Sequence, residues 1–417
     1  MTPASIIPVF GSQRPYADLN FAGGSFGVGG QIVSDITRLP GFTFTRASTA
    51  MFYGSNGLLQ TAASGVARFA YDPVTLASQG ILVEEARTNL CLQSQDLATT
   101  WATSRTSVTV NTTTSPDGTS NADKLVEDVT LGGHQLVQAI TTTAVATTIS
   151  VYAKPAGRDW IALGLNDSGG VARAVYFNVS TGAVGTVGTG FAASIQAVGN
   201  GWYRCVATLS AALAGANNLR LYVTTADNVT SYTGDGTSGA FFWQAQVEAG
   251  TGASSPIPTT TAAVTRAADV ARLTGLPLAY PLSLAARFIK NFGAATSRAL
   301  TLYIDGNNFA TLGLTTALAT RLEVAQGGSF QAQLTGATPG LGAATLEAGR
   351  FATNDVGFAA QGALVGTDVS ATMPSAPTAI NIGMFSDGGT EPLNGTISRI
   401  RIYNRALPDA QLQSLTT

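Results

Sequence analysis

Two kinds of residue in this sequence have the chemistry to act on a ligand: acidic side chains that could pair across a substrate, and aromatic rings that could hold one. Glycoside hydrolysis needs two carboxyl groups facing each other across the sugar, roughly 5–9.5 Å apart. The nominees are the neighbours Glu84 and Glu85, and Asp235. Adjacent residues on a strand point to opposite faces, so Glu84 and Glu85 are badly set to cooperate, and a structural brace with Arg87 is the better reading. A Ser–His–Asp triad would have to use His134, the single histidine, and no G-x-S-x-G turn leads into a helix. One histidine cannot build a multi-histidine metal centre, and Cys91 and Cys205 lack metal-ligand spacing; a disulfide between them is not required. The glycine-rich runs at 23–30 and 185–190 precede no helix that would seat a phosphate. No catalytic residue and no metal site is assigned, and the chain reads as non-enzymatic.

Sugar binding asks for less. The C–H face of a pyranose stacks on a ring while nearby polar groups bind its hydroxyls. The rings to weigh are Trp101, Trp160, Tyr176, Trp202 and Trp243. Trp202 opens a turn-to-strand motif and Trp243 sits in an apolar run, so both read as core. Residues 160–165 (WIALGL) alternate: Ile161, Leu163 and Leu165 share one face, and Trp160, Ala162 and Gly164 share the other. The Ile/Leu face must point to the core. Trp160 then stands outward above small neighbours, with Arg158 and Asp159 placed to supply hydrogen bonds at its edge.

These residues need strands to hold them. Hydrophobic residues make up 45% of the 417 and charged residues 11%, the reverse of a disordered chain, and 47 Gly and 16 Pro suit many short strands joined by tight turns. A net charge of −2 argues against nucleic acid as a partner, no apolar run is long enough to span a membrane, and residues 1–11 lack the pattern of a signal peptide. Strand patterns recur at 106–112, 147–152, 160–165, 171–179, 202–209, 219–224 and 240–247, separated by turn signals such as Asp167-Ser168-Gly169-Gly170. A second series runs from 282 to 403, and residues 407–415 form a terminal helix. The expected fold is all-β, with two antiparallel β-sandwich (jelly-roll) domains at 101–250 and 276–417. Residues 251–275 serve as linker and junction, with 250–261 its polar, Pro-containing heart. Residues 1–100 read as an irregular region for assembly or docking, because Ile6, Val9, Phe10, Phe21 and Phe26 have no local partners to bury them. A short echo, Phe44-Thr45-Arg46-Ala47 and Val264-Thr265-Arg266-Ala267, suggests equivalent roles for Arg46 and Arg266 at two junctions.

Three stretches resemble a recurrent family of tailed-bacteriophage and prophage structural proteins. They are Phe44-Thr45-Arg46-Ala47-Ser48-Thr49-Ala50, then Gly80-Ile81-Leu82-Val83-Glu84-Glu85-Ala86-Arg87-Thr88-Asn89-Leu90, then Gln244-Ala245-Gln246-Val247-Glu248-Ala249-Gly250 running on to Thr265-Arg266-Ala267-Ala268-Asp269. Between them, Val151-Tyr152-Ala153-Lys154-Pro155 and Gly201-Trp202-Tyr203-Arg204 resemble a carbohydrate-binding-module jelly roll. The C-terminal Leu393-Asn394-Gly395-Thr396-Ile397-Ser398-Arg399-Ile400-Arg401-Ile402-Tyr403 is similar to concanavalin-like and laminin-G-like lectin folds.

The resemblance implies a fibre or spike on the tail or head of a virion, assembled in the host cytoplasm, that displays glycan-binding sandwiches. Its implied partners are other virion proteins and host-surface polysaccharide, and closed symmetry suggests a homo-oligomer, as a trimer. A baseplate, collar or capsid-decoration protein without sugar binding is the alternative, and a capsule depolymerase a further one. The lectin likeness offers a second rim at Asp305, Asn307, Asp387 and Glu391. Calcium needs six to eight oxygen ligands, and these four residues sit on separate loops, so no cofactor is assigned.

Overall fold

A computed structural model of the chain describes residues 14–417; Ile6, Val9 and Phe10 lie outside the described residues. Strands take 52% of the chain and helix 2%, so the fold is all-β. Four large antiparallel sheets stack as two sandwiches, each with its own buried core.

The inserted sandwich spans roughly residues 90–260. One of its sheets orders Ala102–Ser104, His134–Thr142, Gly215–Thr224, Trp160–Asn166, Ala172–Asn178 and Ala183–Val187. The other orders Thr106–Thr113, Ala122–Glu127, Gly239–Ala249, Thr147–Ala156, Tyr203–Leu209 and Phe191–Ala197. Alternation sets the faces. Leu219, Leu221 and Val223 turn inward to meet Ile161, Leu163 and Leu165, while Arg220 and Tyr222 between them turn out. Cys91 and Cys205 are free and buried in this core, where burial pushes both thiols far up. Neither should react with a thiol reagent under native conditions, and both should react once the chain is unfolded; fast native labelling would contradict this packing.

The second sandwich is assembled from both ends of the chain, which the sequence did not suggest. Residues 17–89 are not irregular. Ala17–Asn20 pairs with Gly395–Tyr403, with Ala17 opposite Ile402 and Asn20 opposite Arg399. Ser78–Val83 pairs with the other end of the same strand, with Ile81 opposite Ile397. Phe42–Thr45 adds an edge to the facing sheet beside Val270–Thr274. Phe21 and Phe26, expected to await a docking partner, are each 2% exposed in the core of this sandwich. Gly80 shows why its position needs glycine. Its φ is +95°, and a Cβ there would lie 2.0 Å from the carbonyl oxygen of Ile397 on the paired strand.

The stretch expected to be a linker is held fast. Ser254, Ser255, Ile257 and Thr259 are buried. Ser254 N–H donates to Glu248, Ser255 N–H to Glu84, and Ile257 N–H to Gln246. Its polar residues satisfy a buried backbone rather than meet solvent. The connections into and out of the inserted sandwich also pair as a short ladder, Arg87–Asn89 with Val264–Arg266. At the C-terminus Asp409–Ser414 is helical, and it buries Leu412 against Ala348 and Ala359.

Candidate functional site

Trp160 lies on the sheet face away from the core, opposite Asn178 on one side and Thr224 on the other. Its ring is half-buried. It covers Gly185 on the neighbouring edge strand, where a Cβ would come within 2.5 Å of its Cζ3. Asp227 stands at the same spot, its carboxylate accepting the N–H and hydroxyl of Thr186 at 2.7 and 3.0 Å. The expected bare shelf of Ala162 and Gly164 is absent, because Tyr176 and Tyr222 flank Ala162 on the two adjoining strands. The Tyr222 ring reaches over Gly164, 3.2 Å from where a Cβ would be. Burial raises both phenols above their ordinary value; at Tyr176 a hydrogen bond with Thr230 opposes it. The face therefore carries three rings, with Trp160 and Tyr222 half-buried and Tyr176 only 6% exposed. Tyr222 escaped the sequence reading, although alternation from Leu221 and Val223 puts it on this face.

Arg158 does not serve the Trp160 edge. Its Nε and Nη2 donate to the two carboxylate oxygens of Glu127 at 2.9 and 2.5 Å, and Nη2 also reaches Asp235 at 3.2 Å. The guanidinium lies 5.8 Å from the centre of the Tyr232 ring, and Tyr232 Oη donates to the same glutamate. Glu127 is 1% exposed, so this arginine neutralises a buried charge and pins a loop. Asp159 is exposed, and its backbone carbonyl accepts Val179 N–H at 2.7 Å.

The second rim does not converge either. Asp305 accepts Asn307 N–H and Asn308 Nδ2 within its own hairpin turn. Glu391 accepts Arg298 Nε, and Asp387 stands 3.7 Å from Arg272. Among the described residues no three acidic, histidine or cysteine side chains gather to hold a metal ion. His134 is fully buried, its ring nitrogens facing the carbonyls of Arg105 and Tyr232 at 2.7 and 3.2 Å. Trp202 and Trp243 are buried as expected, but in a separate cluster where the inserted sandwich meets Met51 and Leu59.

Glu84 and Glu85 part ways. Glu85 pairs with Arg87, while Glu84 is buried with Arg68, Arg266 and Asp269. Arg46 also binds this aspartate, at 3.0 Å, and Arg266 lies 3.9 Å from it, so the two arginines sit at one junction rather than the two expected.

The sheets and cores define an antiparallel β-sandwich protein of jelly-roll type. No protein-family model matches the sequence, and no curated protein matches it. Among solved structures, the chain is similar to a carbohydrate-binding module of a Ruminococcus gnavus sialidase, described bound to α2,3-sialyllactose. That match has 19% identity, 33% of this chain and 83% of that one covered, and a TM-score of 0.28. Domain 4 of a Geobacillus stearothermophilus arabinanase, in complex with arabinotriose, matches at 18% identity over 36% and 73%, with a TM-score of 0.30. Domains LG4-5 of the mouse laminin α1 chain match at 10% over 68% and 92%, with a TM-score of 0.22. At these scores the fold assignment rests on the strand pairing itself.

Proposed function

We propose that the chain is a non-catalytic glycan-binding protein, displayed as a fibre or spike of a tailed-phage-like particle. The observation that carries the binding reading is the pair of half-buried rings Trp160 and Tyr222, with the buried Tyr176 beside them, on the outer face of the inserted sandwich, bordered by Gln135, Asn178 and Asp227. Rings on a strand-backed face are preorganised to stack a sugar, and amide and carboxylate groups beside them can bind its hydroxyls. The carboxylates that sequence nominated for hydrolysis are committed elsewhere, Glu84 to arginines and Asp235 to Arg158 and the turn at Thr237. The virion setting is supported by the stretches at 44–50, 80–90 and 244–269 and their order along the chain.

Trp160→Ala should weaken adsorption to purified host-surface polysaccharide by about tenfold, the equivalent of one well-packed ring. The melting temperature should change by less than about 3 °C, because the ring lies outside the core. Unchanged adsorption by a well-folded variant would remove this face from the reading. A large fall in melting temperature would make the tryptophan a packing residue. Antibody against the chain should decorate intact particles in electron micrographs, and light scattering should return three times the chain mass.

A further inference from the structure

A cleft of about 790 Å³ opens between the two sandwiches, within the size range of ligand sites (roughly 300–1,000 Å³). Its floor is the outer face of Phe191–Ala197 and Tyr203–Leu209. There Ser194 stands opposite Val206, and Gln196 opposite Arg204. Tyr71 and Gln79 come from the N-terminal hairpin on one wall, and Asn291 and Phe292 from the C-terminal sandwich on another. The segment 250–256 closes one end and ties the walls together, Ala294 N–H donating to Thr251 Oγ1 at 3.1 Å.

We infer that this cleft is a second saccharide site, distinct from the Trp160 face, and that it takes an acidic oligosaccharide lying across both sandwiches. Three features select that ligand. The floor offers small and polar side chains, Ala192, Ser194 and Gln196, which suit a hydroxyl-rich chain better than an apolar protein surface. Among the aromatic side chains on the lining, Tyr71 is half-buried and can stack a sugar ring, while Phe292 is 5% exposed under Arg87 and the Tyr53 hydroxyl is held by Tyr152.

Arg204 is the cation lining the cleft, and its hydrogen-bonding capacity is only partly used. Nη2 donates to Ser254 O at 2.6 Å and Ser150 Oγ at 3.2 Å, the guanidinium sits 5.5 Å from the Tyr152 ring centre, Nε is buried, and Nη1 is the nitrogen left for a ligand. The two carboxylates on the lining are already engaged. Asp72 accepts the N–H groups of Val74 and Thr75, and Glu84 is bound by Arg68 and Ser255. An arginine with spare donors is a natural partner for a sugar carboxylate.

The inference shares the sugar-binding reading but uses another surface, so one experiment separates them. Uronate- and sialate-bearing oligosaccharides are screened on an array, and the strongest is titrated by calorimetry into the full chain, Ser194→Trp and Trp160→Ala. Ser194 is exposed on an edge strand, so tryptophan there fills the cleft without entering the core. Binding of that ligand should weaken at least about tenfold in Ser194→Trp and stay within about twofold in Trp160→Ala. Ala192→Trp, on the same floor, replaces the first variant if that one fails to fold. No acidic oligosaccharide bound, equal affinity for neutral chains of the same length, or unchanged binding in the filled variant would each overturn the inference. Loss of binding in Trp160→Ala alone would leave the sugar-binding reading standing and confine it to the outer face.

Discussion

Asp269→Ala should cost the folded chain about 3–5 kcal/mol, the usual result of removing one partner from a buried ion network. Asp269 is 2% exposed and holds three segments at once. One oxygen accepts Arg46 Nη1 at 3.0 Å, and the other accepts Arg68 Nη2 and the backbone N–H of Glu84 at 2.9 Å. Arg266 Nη1 lies 3.9 Å away, and Asp269 N–H returns a hydrogen bond to Glu84 O. Without this carboxylate, Arg68 and Arg266 would share Glu84 and Arg46 would keep only backbone carbonyls, each of the three arginines being 2% exposed or less. Guanidinium denaturation of the two proteins reads the difference directly; a midpoint within error of the parent would contradict the network's role.

Acid should act on the same network. Burial alone would raise the Glu84 carboxyl, but Arg266, Arg68 and hydrogen bonds from Ser255 outweigh it and bring it from 4.5 down to about 2. A folded value below the unfolded one means that the stabilisation is complete above about pH 4.5 and is lost as pH falls towards 2. At full strength the shift corresponds to roughly 3 kcal/mol. The stability of the parent should therefore fall through that window more steeply than that of Glu84→Gln.

Local patterns in the sequence carried the inserted sandwich well. Ile161, Leu163 and Leu165 turn inward because alternation on a strand leaves no other choice, and all three are fully buried. The echo of Arg46 and Arg266 suggested two separate junctions, whereas both side chains lie at one, Arg46 bonded to Asp269 and Arg266 3.9 Å from it. What failed was whatever depended on distant partners. Ala17–Asn20, Ser25–Val28 and Gln31–Val33 are three or four residues long, so nothing local names their partners, and the first pairs with a strand ending at Tyr403. Serines and threonines at 254–259 read as solvated, yet they face Glu84 and Glu248, whose positions no local rule supplies. Arg158 looked free beside Trp160 because Glu127 lies 31 residues earlier, on the other sheet.

Removing residues 1–89 should abolish cooperative folding of the C-terminal sandwich, while the inserted sandwich survives excision. The strand Gly395–Tyr403 is flanked on one side by Leu282–Lys290 and on the other by Ala17–Asn20 and Ser78–Val83. Truncation bares that second edge along most of its length and strips Phe42–Thr45 from the facing sheet. It also takes Leu19, Phe21, Phe26, Ile36, Leu39 and Ile81 out of the shared core. At about 1.5–3 kcal/mol for each of these six side chains, the loss is roughly 9–18 kcal/mol. That is as large as the whole stability of an ordinary domain, about 5–15 kcal/mol. Arg266 and Asp269 would in addition lose Arg46, Arg68 and Glu84. By contrast, the buried core of the inserted sandwich draws every residue from Cys91 to Val247, so the 90–261 fragment keeps it entire. The 262–417 fragment should show dispersed-poor amide spectra and no sigmoidal melt, and adding the 1–89 segment in trans should restore both. A cooperative melt of 262–417 alone, near that of the full chain, would mean that the N-terminal strands only decorate a sandwich complete without them.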